Sequence, residues 1–425
     1  MLTGPLLLEL IVILVVVQLF GTLLRGVGQQ WVIGEIVAGL VLGPSVFGVL
    51  FPSLELSIFP TNVFPTLQTL GDIGLILYMF SLGARLDTHL MLGQSRKAIV
   101  TSLNGIVFPF VLGSALAFFL YPAGFGGENA TKLSFLLMIG TAMAITAFPV
   151  LARLLSEKQL VGTKIGTLAL TCAAVDDVIA WCLLALVMAI VHAKGVGAAV
   201  ATLVWVLLFV ACMFLAIRPL LVWLERHVHL PGGHMILPLI FLLLSAYCTN
   251  AIGIHPIFGA FLMGVILPRR PKLVSFTRSI EQVNTTLFLP LFFVYSGLRT
   301  QISLINTPLL WMICCIIIVI ACAGKITGAL ASARLLGESW KDSLTLGILM
   351  NTRGLVELIV LNIGLDLKIL SPTLFAMLVI MALVTTMLAS PLLSLLGYKQ
   401  QPQLLPEEED VRTMSENNFL PEAER

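Results

Sequence analysis

Long apolar segments recur along the whole chain, separated by short polar stretches, and this pattern limits the possible folds more than any other feature. Of the 425 residues, 58% are hydrophobic and only 11% are charged, and the mean hydropathy is +1.04. A run of about 20 apolar residues crosses a bilayer as a helix, and lipid accepts only structures whose backbone hydrogen bonds are closed internally. The sequence therefore predicts an all-α polytopic membrane protein.

The segments predict thirteen transmembrane helices. They cover residues 6–24, 31–50, 67–86, 98–121, 133–155, 163–193, 197–224, 235–252, 254–268, 280–298, 308–333, 342–365 and 371–397. Of the 24 Lys and Arg residues, Lys325 and Arg353 lie deep within spans, four lie in loops or at span ends on one side, and the other 18 lie in loops or at span ends on the other side. The four are Lys132, Lys194, Arg299 and Lys368. Because basic residues gather in cytoplasmic loops, we expect a multi-pass protein of the cell (inner) membrane, with its N-terminus outside and its C-terminus in the cytoplasm.

Two of the predicted helices carry a break near the middle. In span five, Thr146 is followed by Phe148 and Pro149, where the proline lacks an N–H group and restricts the residue before it. In span twelve, residues 351–354 (NTRG) interrupt the apolar run. The spans divide as six, one and six, so the second six form an inverted copy of the first, and the breaks fall on equivalent spans. We predict two crossing broken helices that frame a cavity, the alternative being a simple proline kink.

Two adjacent aspartates, Asp176 and Asp177, lie in the middle of span six. A carboxylate at the centre of a span costs roughly 2.5 to 3.5 kcal/mol on insertion scales, so packing does not explain the pair. Consecutive residues of a helix point about 100° apart, so each carboxylate needs its own partner. We pair Asp176 with Lys325, which lies deep in span eleven. A lysine left without a carboxylate could instead lose and carry a proton.

Arg353, Glu357 and Glu35 also lie within predicted spans. Arg353 and Glu357 are four residues apart after the second break, a spacing that suits an ion pair along one helix. This pair either holds the broken helix or contacts the ion directly. Glu35 begins a segment that contains Gly39 and Gly43, whose spacing suits close helix contact. It lies either at the cytoplasmic entrance or at a helix interface.

The rest of the chain carries few chemical signals. Asp72 is expected at the outer start of span three, in contact with water or a capping donor. The seven cysteines all lie in spans and form no CxxC pair, so we expect neither a structural metal site nor disulfides. Residues 399–425 are polar and acidic, and we expect a disordered cytoplasmic tail. Nothing indicates an enzyme, a cofactor or a nucleic-acid partner.

Seven segments together resemble the second group of monovalent cation:proton antiporters (CPA2), an Na+/H+ or K+/H+ exchanger family. They are IGEIVAGLVLGPS, TAFPVLARLL, the VDD motif, IGIHPIFGAFLMGVILP, LPLFFVYSGLRT, GKITGALASA and MNTRGLVELIVLNIGLDLKILSP. The likeness covers about residues 10–397, and its last three segments look closest to the plant and cyanobacterial cation/H+ exchanger branch. Potassium-efflux members often have another pair in place of Asp-Asp and carry a cytosolic nucleotide-binding domain, which we do not expect here.

The resemblance implies a secondary antiporter that exchanges protons for monovalent cations by alternating access at a midplane site. Na+ is the expected cation and K+ the alternative. Asp177 would hold either the proton or the metal cation, and Asp176 would bridge Lys325. Thr146 and the backbone of the broken helices would complete the shell of oxygen ligands.

The resemblance also implies a homodimer in the lipid bilayer, in which a core of each subunit moves against a panel. The panel would comprise residues 1–95 (spans one to three) and 231–300 (spans eight to ten). The core would comprise residues 96–195 (spans four to six) and 301–398 (spans eleven to thirteen). Residues 196–230 would form a linker helix.

Other functions fit parts of the pattern. A sodium-coupled symporter for an organic anion, built on a similar fold, needs further basic residues to hold a carboxylate, and only Arg353 is available. A potassium efflux system without its regulatory domain is a second alternative, and a channel or sensor that keeps the fold is a third.

Overall fold

The computed structural model describes residues 3–60, 64–85, 95–192, 196–227, 233–268 and 270–398, and these ranges are almost entirely helical. We number the helices in chain order: α1 (Thr3–Gly26), α2 (Trp31–Leu42), α3 (Phe47–Leu50), α4 (Pro52–Ile58), α5 (Phe64–Arg85), α6 (Ser95–Leu120), α7 (Lys132–Ala144), α8 (Phe148–Glu157), α9 (Lys164–His192), α10 (Val196–Cys212), α11 (Arg218–His227), α12 (Gly233–Ile252), α13 (Pro256–Ile266), α14 (Pro271–Val283), α15 (Leu289–Leu298), α16 (Pro308–Leu335), α17 (Trp340–Met350), α18 (Leu355–Asp366) and α19 (Pro372–Leu395). Short π-helical turns follow α6, α10 and α14. Lys194 and the predicted tail at 399–425 lie outside the described residues.

Within the described ranges, nine helical segments are long and apolar enough to cross a membrane, or ten if the bent pair α17 and α18 counts as one span. The predicted all-α polytopic class is therefore confirmed. Every predicted span coincides with a helix, but three of them, at α7, at α13 and at residues Ile236–Ile252 of α12, fall on apolar helical stretches of only 10–17 residues. Because such helices are shorter than a typical span, the predicted count of thirteen exceeds the number that length alone supports.

The helices form two groups that pack mainly within themselves. One group, the core, comprises α6–α9 and α16–α19. Its helix α6 packs along α7 and α16, and α9 contacts α6, α7, α8 and α17. The other group, the panel, comprises α1, α2, α5 and α12–α15, in which α5 packs along α13 and α15, and α2 packs along α1 and α15. The movement of these groups against each other stays a prediction.

Contacts at both ends of the core join its two halves, α6–α9 and α16–α19. At one end, the loop after α6 pairs with the loop between α18 and α19, where Gly127 N donates to Ile369 O at 2.8 Å. At the other end, Lys164 at the start of α9 forms an ion pair of 2.5 Å with Glu338, which follows α16. The broken helices are therefore held between two fixed ends.

Glycines allow the backbones of α2 and α15 to touch inside the panel. A Cβ at Gly39 would lie 2.7 Å from Val294 Cα, and a Cβ at Gly297 would lie 2.5 Å from the carbonyl carbon of Gly39. Gly43 faces the same helix, with its Cβ position 3.0 Å from Leu298 Cα. The close helix contact predicted from the spacing of Gly39 and Gly43 is confirmed.

We expect Gly297→Ala to destabilise the panel, because the added methyl group meets backbone atoms that cannot turn away. Overpacking of this kind costs about 1–3 kcal/mol, which a thermal melt of the purified protein in detergent would report. Gly105→Ala is the matched control, since its Cβ would meet no atom within 4 Å and alanine favours a helix. Equal melting temperatures for Gly297→Ala and the parent protein would contradict the close contact.

Candidate ion-binding site

The two broken helices meet at their breaks in the middle of the core, and we call this place the crossing. The chain leaves helical geometry at residues 145–147, between α7 and α8, and at residues 351–354, where α17 and α18 are bent by 42°. Ala147 N donates to Thr352 O at 3.0 Å, so one break satisfies a backbone group of the other. Four helix ends therefore meet in one place, and their unpaired N–H and C=O groups create partial charges there.

Two buried basic side chains cap the C-terminal end of α7. Arg353 donates to Ala142 O and Met143 O, both at 2.8 Å. Lys325 Nζ donates to Ala144 O at 2.6 Å. Cations near the carbonyl end of a helix offset its negative partial charge. The two positive charges thus stabilise the first break, although both side chains come from the second half of the core.

Asp176 is hydrogen-bonded on both of its oxygens. Oδ1 accepts from Ser102 Oγ at 2.5 Å, and Oδ2 accepts from Thr146 Oγ1 and Lys325 Nζ, each at 2.8 Å. The side chains of Asp176 and Lys325 are completely buried, so the contact predicted between them is present. A buried charge is tolerated when it is paired and hydrogen-bonded in this way, which makes Asp176 part of the framework of the crossing.

Asp177, the next residue, has a different environment. Its Oδ1 is buried and has no hydrogen-bond partner among the described residues, and only 3% of the residue is exposed. The rotation of about 100° per residue turns it away from the partners of Asp176. A carboxylate with an unpaired oxygen at this depth is unfavourable unless it holds a proton or a cation. That is the chemistry which a carrier residue needs.

The other predicted residues of the crossing lie around the aspartates. Thr146 Oγ1 is 2.8 Å from Asp176 Oδ2 and 3.0 Å from Met350 O, so its hydroxyl joins the two broken helices. Its place in an ion shell stays a prediction. Arg353 Nη1 lies 3.0 Å from Glu357 Oε1, and both side chains are fully buried. Since Arg353 also caps α7, these contacts favour the interpretation that the pair holds the broken helices.

Glu35 lies outside the crossing, on helix α2 of the panel. It is 3% exposed, and its Oε2 has no hydrogen-bond partner within the described ranges. Arg153 of α8, in the core, interacts with it electrostatically. Glu35 is therefore a buried panel residue within the field of a core cation, and its role at an entrance stays a prediction.

Sequence reasoning missed two hydroxyl residues that hold the crossing. Ser102 of α6 donates to Asp176, and nothing in its surrounding sequence distinguishes it. Thr386 of α19 accepts from Arg353 N and donates to Arg353 O, both at 2.9 Å. The repeat could have indicated Thr386, because α19 occupies in the second half the place that α9, with the aspartates, occupies in the first.

Nearly the whole chain matches one protein family. The family profile described as "Sodium/hydrogen exchanger, transmembrane" covers residues 11–397. The chain belongs to the sodium/hydrogen exchanger family. This is a family of membrane transporters, and the resemblance identified from the sequence motifs is confirmed.

Curated relatives of this exchanger come from a cyanobacterium, a plant and a yeast. It is 43% identical over 389 residues to the Na(+)/H(+) antiporter NhaS4 of Synechocystis sp., with 90% of this chain and 95% of the relative aligned. It is 39% identical over 393 residues, 90% of this chain, to cation/H(+) antiporter 18 of Arabidopsis thaliana. It is 35% identical over 384 residues, 86% of this chain, to K(+)/H(+) antiporter 1 of Saccharomyces cerevisiae. The exchanger spans only 48% and 43% of the latter two proteins.

The fold of the exchanger is that of solved antiporters. The sodium proton antiporter MjNhaP1 from Methanocaldococcus jannaschii, solved at pH 8, aligns with a TM-score of 0.62 at 16% identity. The alignment covers 92% of this chain and 96% of that structure. At this identity the likeness concerns the fold alone, and the predicted antiporter-like fold is confirmed.

Proposed function

We propose that this exchanger is a secondary antiporter that moves protons and monovalent cations in opposite directions, by alternating access at Asp177. Family membership supports coupled cation and proton exchange. Na+ is the expected cation and K+ the alternative, since the relatives carry both names. Hard monovalent cations prefer oxygen ligands, and a carboxylate with a free oxygen inside the bilayer provides one.

The observation that carries this proposal is the contrast between two neighbouring carboxylates. Asp176 has three hydrogen-bond donors, whereas Asp177 Oδ1 has none among the described residues. The charge of Asp176 is therefore already compensated, and the charge of Asp177 is left for a transported ion. A proton and a metal cation cannot occupy that carboxylate together, so they compete for it.

Proton transport and cation transport are coupled in this proposal because an unpaired charge inside a membrane is unfavourable. Empty and ionised, Asp177 is expensive to carry through the low-dielectric interior. With a bound proton or a bound cation it is neutralised, and the core can move against the panel. Each movement of the core then carries either a proton or a metal cation across the membrane. The gradient of one ion can therefore drive the other ion in the opposite direction.

Lys325, Asp176, Arg353 and Glu357 serve in this proposal as the framework of the site. An ammonium group has three N–H donors, and Lys325 Nζ uses three acceptors: Gly105 O at 3.0 Å, Ala144 O at 2.6 Å and Asp176 Oδ2 at 2.8 Å. This full set of bonds supports a lysine that stays charged while Asp177 exchanges its ligand.

The remaining parts of the proposal concern the membrane and the assembly. The uneven distribution of Lys and Arg supports an N-terminus outside and a C-terminus in the cytoplasm, in the cell (inner) membrane. We further propose a homodimer, in which the core of each subunit moves against its panel.

Purified protein in liposomes that contain a trapped pH dye tests this function. We expect the addition of Na+ or K+ to dissipate a preformed proton gradient without any organic solute. Empty liposomes give the passive leak. No response to Na+, K+ or Li+ would overturn the antiporter proposal, and a response that requires an organic anion would favour the symporter instead.

A further inference from the structure

A cavity of about 350 Å³, with a mostly apolar lining that includes a few polar side chains, lies away from the aspartate pair, between panel helices α5, α12 and α13 and core helix α9. Its walls include Asp72, Ile76, Met188, Asn250 and His255. At roughly 30 Å³ per water molecule, it has room for about ten waters. It is therefore large enough to hold a hydrated ion.

Asp72 is the carboxylate of this cavity. Its predicted position at the start of a helix is wrong, because α5 begins at Phe64 and Asp72 lies eight residues further on, where it cannot cap the helix. Arg299 interacts with it electrostatically but donates its hydrogen bonds to Asn362 and Asp366, at 3.2 and 2.6 Å. The charge of Asp72 is thus left facing the cavity.

Two further polar side chains lie in the same wall. His255 precedes α13 as its N-cap residue, and its Nδ1 is buried without a hydrogen-bond partner among the described residues. Asn250, from the end of α12, adds an amide. A carboxylate and an amide at one cavity suit a hydrated cation better than an anion.

One face of α9 connects the cavity with Asp177. Asp177, Trp181, Leu184 and Met188 follow at spacings of four, three and four residues, which keeps them within about 60° on the helix surface. Met188 lines the cavity and lies about 16 Å along the axis from Asp177. The cavity and the aspartate therefore share one face of the core.

Large apolar side chains separate the cavity from Asp177. Trp181 and Leu184 are 3% and 0% exposed. The Trp181 ring packs edge-on against Phe258 of the panel helix α13, with 5.6 Å between ring centroids. The face of α9 that leads to Asp177 is thus closed by contacts between core and panel.

We propose that this cavity is the outer vestibule of the exchanger, in which a hydrated monovalent cation collects before it reaches Asp177 and into which it is released, and that Asp72 attracts the cation. The proposal rests on the proposed antiport function. It gives Asp72 an electrostatic role on one side of the membrane, distinct from the carrier role of Asp177.

Thiol chemistry tests the vestibule without any need for transport. Ile76→Cys places a thiol one helical turn from Asp72. A membrane-impermeant cationic methanethiosulfonate should modify it from one face only, and faster than an anionic reagent of similar size. Asp72→Asn in the same protein should slow the cationic reagent and speed the anionic reagent by about fivefold each, the effect of one charge at about 4 Å in water, and so lower the ratio of the two rates by about 25-fold.

Controls make the labelling result decisive. The parent protein gives the background from its seven native cysteines, and Met188→Cys reports from the opposite wall if Ile76→Cys folds poorly. The vestibule is overturned if neither thiol reacts from either face, or if Asp72→Asn leaves the rate ratio unchanged.

Transport with the cation supplied to one face at a time gives the second readout. Asp72→Asn should raise the apparent KM about fivefold for a cation supplied on the face from which the thiol reagent reacts. The apparent KM for a cation on the opposite face should not change. Asp72→Glu should keep both values close to those of the parent protein. An inert electrolyte at high ionic strength should remove the difference. An equal rise on both faces would overturn the vestibule alone. If the parent protein moves no protons, the antiport function fails, and the labelling ratio still decides whether the cavity collects cations.

Discussion

Asp177→Asn is expected to lower cation-driven proton movement by at least about 100-fold while the protein still folds. Asparagine neither releases a proton nor carries the charge that attracts a cation. Because Asp177 Oδ1 has no hydrogen-bond partner among the described residues, the replacement breaks no contact of that oxygen, and it removes an unpaired charge from the membrane interior. The measurement is the initial rate of dye-reported proton flux in liposomes that contain equal amounts of parent and variant protein.

Asp342→Asn is the matched control for this experiment. Asp342 lies in the first turn of α17 and accepts a hydrogen bond from Ser339 at 2.8 Å, about 13 Å along the helix from the break. It should keep the exchange rate of the parent protein. Full activity of Asp177→Asn would refute its carrier role, and a melting temperature far below the parent value would indicate that Asp177 also holds the fold.

Lys325→Ala is expected to lower the free energy of unfolding by about 3–5 kcal/mol. The variant leaves Asp176 with two hydroxyl donors but no compensating charge, and it removes the ammonium from the carbonyl oxygens of Gly105 and Ala144. Breaking a buried ion pair from one side is costly because the surviving charge stays uncompensated. Thermal melts of the purified protein in detergent would measure the loss.

A double variant separates the ion pair from the rest of this effect. Asp176→Asn combined with Lys325→Met should recover part of the stability that Lys325→Ala loses, because no unpaired charge remains. Lys368→Ala is the control, since its ion pair with Glu128 is 58% and 77% exposed and exposed pairs contribute little. If Lys325→Ala melted at the parent temperature, the pair would not stabilise the crossing.

The low tolerance of lipid for charge explains why much of the site could be predicted from the sequence. Few charged residues lie within spans, and each needs a partner, so Lys325 had few carboxylates available. The ion pair between Arg353 and Glu357 was predicted from their spacing of four residues. Pro149 and the polar residues 351–354 marked both breaks, because each interrupts an apolar helix in a recognisable way.

Contacts with backbone carbonyls could not be predicted in this way, since the acceptor is the same at every residue. The bonds from Arg353 to Ala142 O and Met143 O join positions 211 and 210 residues apart, and no sequence pattern indicates them. The position of Asp72 within its helix was also missed. Apolar composition locates a span but not the residue at which its helix begins. An error of a few residues in that start changes the environment expected for a residue near the end of the span, such as Asp72.

The carbonyl groups at the end of α7 depend on residues that the ribosome makes much later. Ala144 O bonds to Lys325, 181 positions further along the chain, and Ala142 O bonds to Arg353, 211 positions further along. At 5–20 residues per second, translation takes about 10–40 s to reach those partners. During that interval the bilayer holds an interrupted helix with unpaired carbonyls beside two aspartates, which lipid cannot satisfy. The first repeat therefore cannot form these bonds by itself, and we expect the fold of the core to be completed only after the second repeat has been made.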